Sequence, residues 1–163
     1  MDGTTMLPEF DHEMANTRRT LERVDPDRFD WKPHEKSYSL KELATHLANL
    51  PSWVAMTLTT EELDVGGDFE RPDPASTEEI LEIFDANVAE GRTALETASG
   101  DDLMVSWTLL MEGETVLTMP RGAVLRSFVM NHMVHHRAQL TVYLRLLDIP
   151  VPALYGPSAD EEQ

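Results

Sequence analysis

The ten residues Asn131–Leu140, NHMVHHRAQL, carry three of the six histidines in the chain. His132 and His136 stand four apart. On an α-helix that spacing stacks two side chains on one face, with Cβ atoms about 5–6 Å apart. Two imidazoles so placed can converge on one ion, with nitrogen–zinc distances of about 2.0–2.1 Å. They also fall within the run Phe128, Val129, Leu140 and Tyr143, whose spacing predicts an inward face. Such a pair by itself is a weak signal, and it more often marks two part-buried histidines bonded to neighbours. The choice rests on what faces them.

Outward from this stretch, Val124, Leu125, Phe128, Val129, Leu140, Tyr143, Leu144 and Leu147 extend one stripe in both directions. They predict a long fourth helix from Pro120, at the first helical position, to about Leu147. Arg121, Arg126, Arg137 and Arg145 lie on it, and spacing predicts that Arg137 and Arg145 face outward. Upstream, Val105, Trp107, Leu109 and Met111 alternate, Gly113 offers a turn, and Val116 and Leu117 follow, which predicts a β-hairpin. Ile80, Ile83, Phe84, Val88 and Leu95 mark a third helix, with Thr77 as its N-cap, running to about Thr97. Leu40, Leu43, Leu47, Leu50 and Val54 mark a second. It opens at Ser39, three residues before Glu42, in the capping-box arrangement, and runs to about Glu62. Pro51 inside it removes a bond to Leu47 and predicts a kink. Leu7, Phe10, Met14, Thr17 and Leu21 mark the first, from Leu7 to about Val24. VDPDRFDWKPHEKSYS and DVGGDFERPDPAS read as loops. The ending DIPVPALYGPSADEEQ reads as an irregular tail, with residues 157–163 an acidic, mobile end. Four amphipathic helices in one small chain predict an all-α, single-domain four-helix bundle with a small β-hairpin between the third and fourth helices.

Composition narrows the chemistry. Without cysteine there is no thiolate ligand and no cysteine nucleophile, so a metal would be held by His, Asp or Glu and thiol chemistry would need an external thiol. A formal charge of −17 repels phosphates, which argues against nucleic acid as a partner. No apolar window is long enough to span a membrane. The first residues, MDGTTMLPEF, lack a secretory pattern, which predicts a cytoplasmic location.

His46, in SLKELATHLANLPSWV, shares a helical face with Leu43, Leu50 and Trp53. An imidazole among leucines needs a partner. If the second and fourth helices face each other, His46 approaches His132 and His136, giving three ligands and open positions of the catalytic type. His135 stands one residue off the pair; it fits an i+3 ligand or a support at the edge of the site. Trp31, Trp53 and Tyr143 fit either a pocket wall or the core, and Asn49 and Gln139 fit roles in orienting a ligand or a histidine. Glu9 and His12 have the i, i+3 spacing of di-iron bundles, but the fourth helix offers no inward glutamate beside its histidines. His34 falls in a loop.

Three stretches resemble the DinB (DinB/YfiT-like) family. YSLKELATHLANLPSWV is similar to its second helix, with one histidine and a following aromatic. NHMVHHRAQL is similar to its last helix, in the pattern His, three residues, then His-Arg-(Gly/Ala)-Gln-Leu. LRLLDIPVPALYG is similar to its ending, with Asp148 where glycine is common. The resemblance implies a four-helix bundle holding one divalent metal, zinc or nickel, on His46, His132 and His136, in preference to His135. It implies a homodimer, damage-inducible expression, and a small-molecule substrate. It also implies thiol chemistry with bacillithiol or mycothiol, as in a low-molecular-weight-thiol S-transferase. A metal-dependent hydrolase and a non-catalytic metal- or ligand-binding dimeric stress protein are the competing functions.

Overall fold

The bundle is built around two short polar signals that start helices. In the computed structural model, which describes residues 2–66 and 72–162, Ser39 accepts a bond from the Glu42 amide at 3.1 Å. The Glu42 carboxylate returns one from the Ser39 amide at 2.6 Å. This capping box starts α2 (Leu40–Asn49). Ser76, not Thr77, caps α4 (Thr77–Thr97): its hydroxyl accepts from the Glu79 amide, three residues on. Thr77 is instead the first helical residue, and its hydroxyl bonds the Val24 carbonyl.

Leu40, Leu43, Leu47 and Leu50 are almost fully buried. They meet Phe10, Met14 and Leu21 of α1 (Leu7–Leu21) and Ile80, Phe84 and Leu95 of α4 in one core. Replacing any one of these leucines by alanine is expected to cost roughly 2–5 kcal/mol. α4 packs on α1 and α2, and on α3 (Ser52–Thr59). Gly91 permits the close α3–α4 approach, since a Cβ there would lie 3.1 Å from Val54 Cβ and 3.2 Å from the Pro51 carbonyl.

The expected kink at Pro51 is a full break between α2 and α3. Trp53 and Val54 amides bond Leu50 and Pro51, three residues back, so the chain tightens through one turn before restarting. α3 also ends at Thr59 rather than near Glu62. Glu62–Asp64 form β1, which pairs in parallel with β2 (Ser106–Met111), Leu63 opposite Leu109. The predicted hairpin is β2 with β3 (Glu114–Pro120), Leu109 opposite Leu117. Glu112 and Gly113 both have positive φ, 52° and 80°, as a two-residue turn of this hand requires. Trp107 and Leu109 are buried, while Val105 and Met111 at the strand ends are exposed. A short helix, α5 (Gly100–Met104), precedes β2 and was not expected from the sequence.

The last helix begins at Arg121, with Pro120 one position earlier as its N-cap. It runs as α6 (Arg121–Val124), a π-helical stretch (Leu125–Asn131) and α7 (His132–Leu146). Past α7, Asp148 takes φ 58°. The amide of Ile149 bonds the Leu144 carbonyl and that of Asp148 the Arg145 carbonyl, the left-handed helix ending that usually uses glycine. Beyond it, Asp160 pairs with Arg145 and Glu161 with Arg23. Residues 67–71 of the predicted second loop lie outside the described residues.

Candidate metal centre

α2 and α7 pack together, and that contact brings the three histidines into one cluster. His46 Nε2 lies 3.4 Å from His132 Nε2, which lies 2.8 Å from His136 Nε2. Among the described residues, this is the one group of three or more histidines and carboxylates able to hold a metal ion, its donor atoms all within 4.8 Å of one another.

The outer ring nitrogens decide what the inner ones can do. His132 Nδ1 faces the Phe128 carbonyl at 3.3 Å, and His136 Nδ1 faces Gln139 Oε1 at 2.7 Å. A carbonyl oxygen only accepts, so each Nδ1 carries the proton. The two Nε2 atoms are left with lone pairs aimed at each other across 2.8 Å. Such an arrangement repels itself unless a proton or a metal ion lies between the rings. Tetrahedral coordination at about 2.0–2.1 Å sets nitrogens about 3.3 Å apart; the 3.4 Å between His46 and His132 matches this and the 2.8 Å between His132 and His136 is shorter, so the donor set could hold a divalent ion. Burial holds the His132 imidazole below its ordinary pKa, against the Phe128 bond that raises it. Burial does the same to His136, against the Gln139 bond and with the neighbouring histidines adding to the lowering. Both rings therefore favour the neutral, ligating form.

A cleft of about 330 Å³ opens beside His46, lined by Tyr38, Lys41, Thr45, Asn49, Trp53 and Val65 among others. Trp53 packs near Trp107, ring centroids 6.4 Å apart. His135 is exposed, its ring 5.0 Å from that of His136, and stands outside the donor cluster. Tyr143 and Trp31 stand behind Tyr38: the Tyr143 hydroxyl donates to the Tyr38 carbonyl at 3.1 Å, and Trp31 meets Tyr143 edge-on at 5.4 Å. Tyr38 itself escaped the sequence reading. Its ring is 6.1 Å from His46 and 6.4 Å from His136; its position just before the Ser39 cap was the available signal. Glu9 pairs with Arg126, His12 meets Asn16, and the exposed His34 ring accepts from the Lys36 amide.

Arg137 does not face outward. It is 1% exposed, and its guanidinium bonds the Glu13 carboxylate at 2.5 Å, the Glu13 carbonyl at 3.0 Å and the Thr17 hydroxyl at 3.1 Å. Tyr155 completes the cluster, its hydroxyl donating to Glu13 at 2.7 Å and meeting Arg137. Met133, Arg137, Leu140 and Leu144 form the buried stripe of α7, so the arginine takes a core position. Arg145 is half-exposed and pairs with Asp160.

Three solved structures share this fold. A DinB-like protein of Bacillus cereus superimposes with a TM-score of 0.71 at 19% identity, over 92% of this chain and 95% of that one. The DinB-like YjoA of Bacillus subtilis gives 0.67 at 19% identity, over 90% and 95%. A DinB-family protein of Exiguobacterium sibiricum gives 0.61 at 21% identity, over 91% and 93%. In sequence, the chain is 44% identical to YrdA of Bacillus subtilis over 43 residues, which is 26% of this chain and 25% of that protein. The family model described as DinB family matches residues 1–163, and the chain belongs to the DinB family.

Proposed function

We propose that this protein is a metal-dependent enzyme in which His46, His132 and His136 hold one divalent ion, zinc or nickel, and that it transfers a low-molecular-weight thiol, such as bacillithiol or mycothiol, to a small electrophilic substrate. The observation that carries the reading is the convergence of three imidazoles, one of which, His46, lines an open cleft. A structural cluster would be closed by protein; this one faces space for a ligand. A bound divalent ion would supply the positive charge that lowers the pKa of a thiol or water beside it.

The chain's own groups do the rest. The Phe128 carbonyl and Gln139 hold the histidine protons on Nδ1 and keep Nε2 free to ligate. Trp53 and Tyr38 line the cleft beside His46, which supports a partly apolar wall there. Asn49 lines the cleft, which supports a role in orienting a polar group of the ligand. The cysteine-free sequence fits a thiol brought from outside and fits hydrolysis equally well. Hydrolysis uses the same centre with water in place of the thiol, and a substrate screen separates the two. A homodimer in the cytoplasm belongs to the same reading: α7 leaves Val142 and Leu146 exposed on its outer side, and no helix among the described residues is long and apolar enough to cross a membrane.

The test is elemental analysis of untagged protein joined to a screen of thiols and electrophiles. One metal per chain, with activity that tracks metal content and vanishes in His132→Ala, supports the proposal. Stoichiometric metal with neither transfer nor hydrolysis leaves a binding protein, and absence of metal removes the reading.

A further inference from the structure

The wall of the cleft is graded. Lys41, Thr45 and Asn49 follow one another at i, i+4 and i+8 along α2, and Trp53 continues the line into α3. From Lys41 to Asn49 the helix rises about 12 Å. The line runs from a cation past Thr45, whose hydroxyl is turned away from the surface, and an amide to an indole, with Val65 and Pro72 adding apolar surface. His46 stands between the two ends.

The charged end is asymmetric. Two acids, Glu42 and Asp73, share it with Lys41, but they are not equivalent. Glu42 is already committed to the Ser39 amide at 2.6 Å and to Lys32 at 3.3 Å. Asp73 pairs with Lys41, yet its side chain is 88% exposed while that of Lys41 is 27% exposed. The lysine is held in place, its ammonium 5.9 Å from the centre of the Phe29 ring. Asp73 is a surface counter-ion, and exposed pairs of this kind contribute little, so another carboxylate can replace it at small cost.

We infer that the cleft binds an elongated monocarboxylate, its acid group on Lys41 in place of Asp73 and its apolar group against Trp53 and Val65. A single lysine neutralises a single charge. A dianionic phosphate would keep excess negative charge beside Glu42 in a chain of net charge −17, which favours the carboxylate. The inference deepens the proposed function by naming a substrate class. It rests on that reading only for the reacting atom's place near His46; selection of the head group does not need the metal.

The test is calorimetric titration of the full chain, as purified and after chelator treatment, with 4-phenylbutyrate, 4-phenylbutylamine and 4-phenylbutanol. The acid is expected to bind about tenfold tighter than the other two in both preparations. Lys41→Met should reduce that preference to about twofold or less, and Asp73→Asn should tighten acid binding by about threefold, since it removes the internal competitor. Tighter binding of the amine, equal or absent binding of all three, or a preference unchanged in Lys41→Met overturns the inference. If the metal reading fails, metal content is nil while the acid preference stays; if the cleft reading fails, the preference is missing whatever the metal content.

Discussion

One helix presents two polar clusters, about 100° apart around α7, and they have opposite characters. On the side facing α1, Arg137 is surrounded: a carboxylate, a carbonyl and two hydroxyls meet its donors, and every charge has its opposite. On the side facing α2, His132 and His136 bring electron pairs together, with a cleft alongside. Burial of polar groups is common to both, so burial alone does not distinguish a structural cluster from a functional one. Completeness does. The first cluster is satisfied within the chain; the second could hold a cation.

The sharpest way to break this contrast is at the closed cluster. Arg137→Met should destabilise the protein by about 3–5 kcal/mol, because it strands the Glu13 carboxylate in the core. Urea unfolding measures it, and adding Glu13→Leu should restore most of the loss; a cost below about 1 kcal/mol would show that the cluster is not needed. At the open cluster the same kind of deletion should act on metal and hardly on fold. His132→Ala is expected to weaken metal affinity by more than about 100-fold, beyond the 10–100-fold typical of supporting groups. The metal-free protein should meanwhile unfold within about 1 kcal/mol of the parent, since a mutual repulsion is removed with the ring.

A smaller effect separates the two neighbours of His136. Gln139→Ala should lower metal affinity about tenfold by freeing the Nδ1 proton. His135→Ala should change it by less than about twofold, and competition with a chromophoric chelator resolves the difference.

The gentlest probe is pH. Burial lowers the pKa of His132 and His136 in the fold from an ordinary value of about 6.5. Below that value the unfolded chain takes up protons that the folded chain resists. Stability of the metal-free protein is therefore full above about pH 6.5 and declines as pH falls through the depressed folded values. Urea midpoints at pH 7.5 and pH 5 should show this decline. A His132→Ala, His136→Ala variant should show less of it, and an equal decline in both would assign the effect elsewhere.

The bundle and the histidine cluster were legible because both rest on spacing that local geometry preserves. The stripe through Leu40, Leu43, Leu47 and Leu50 places His46 on a predictable face, and i, i+4 places the other two. Arg137 was expected on spacing to face outward, yet it takes a core position. Met133, Arg137, Leu140 and Leu144 are spaced four, three and four, the inward pattern, and the arginine belongs to it. Its partners come from 124 and 18 residues away, where spacing along one helix says nothing. β1 was missed for a related reason: three residues carry too short a pattern, and their partner is β2, more than forty residues on. Tyr38 and the cleft depend on how a loop lies over two helices, which periodicity does not encode.

The π-helical stretch Leu125–Asn131 has a consequence for how the chain tolerates change. A π turn holds one residue more than an α turn, and one residue is about 100° of helical phase. The part of the helix that carries Val124 against Trp107 and the part that carries the histidines are thus set in separate angular frames, offset by this wider turn. Shortening the stretch by one residue would swing His132 and His136 away from His46 while both ends of the helix remained intact. The wide turn acts as the dial that aims the histidine pair at His46.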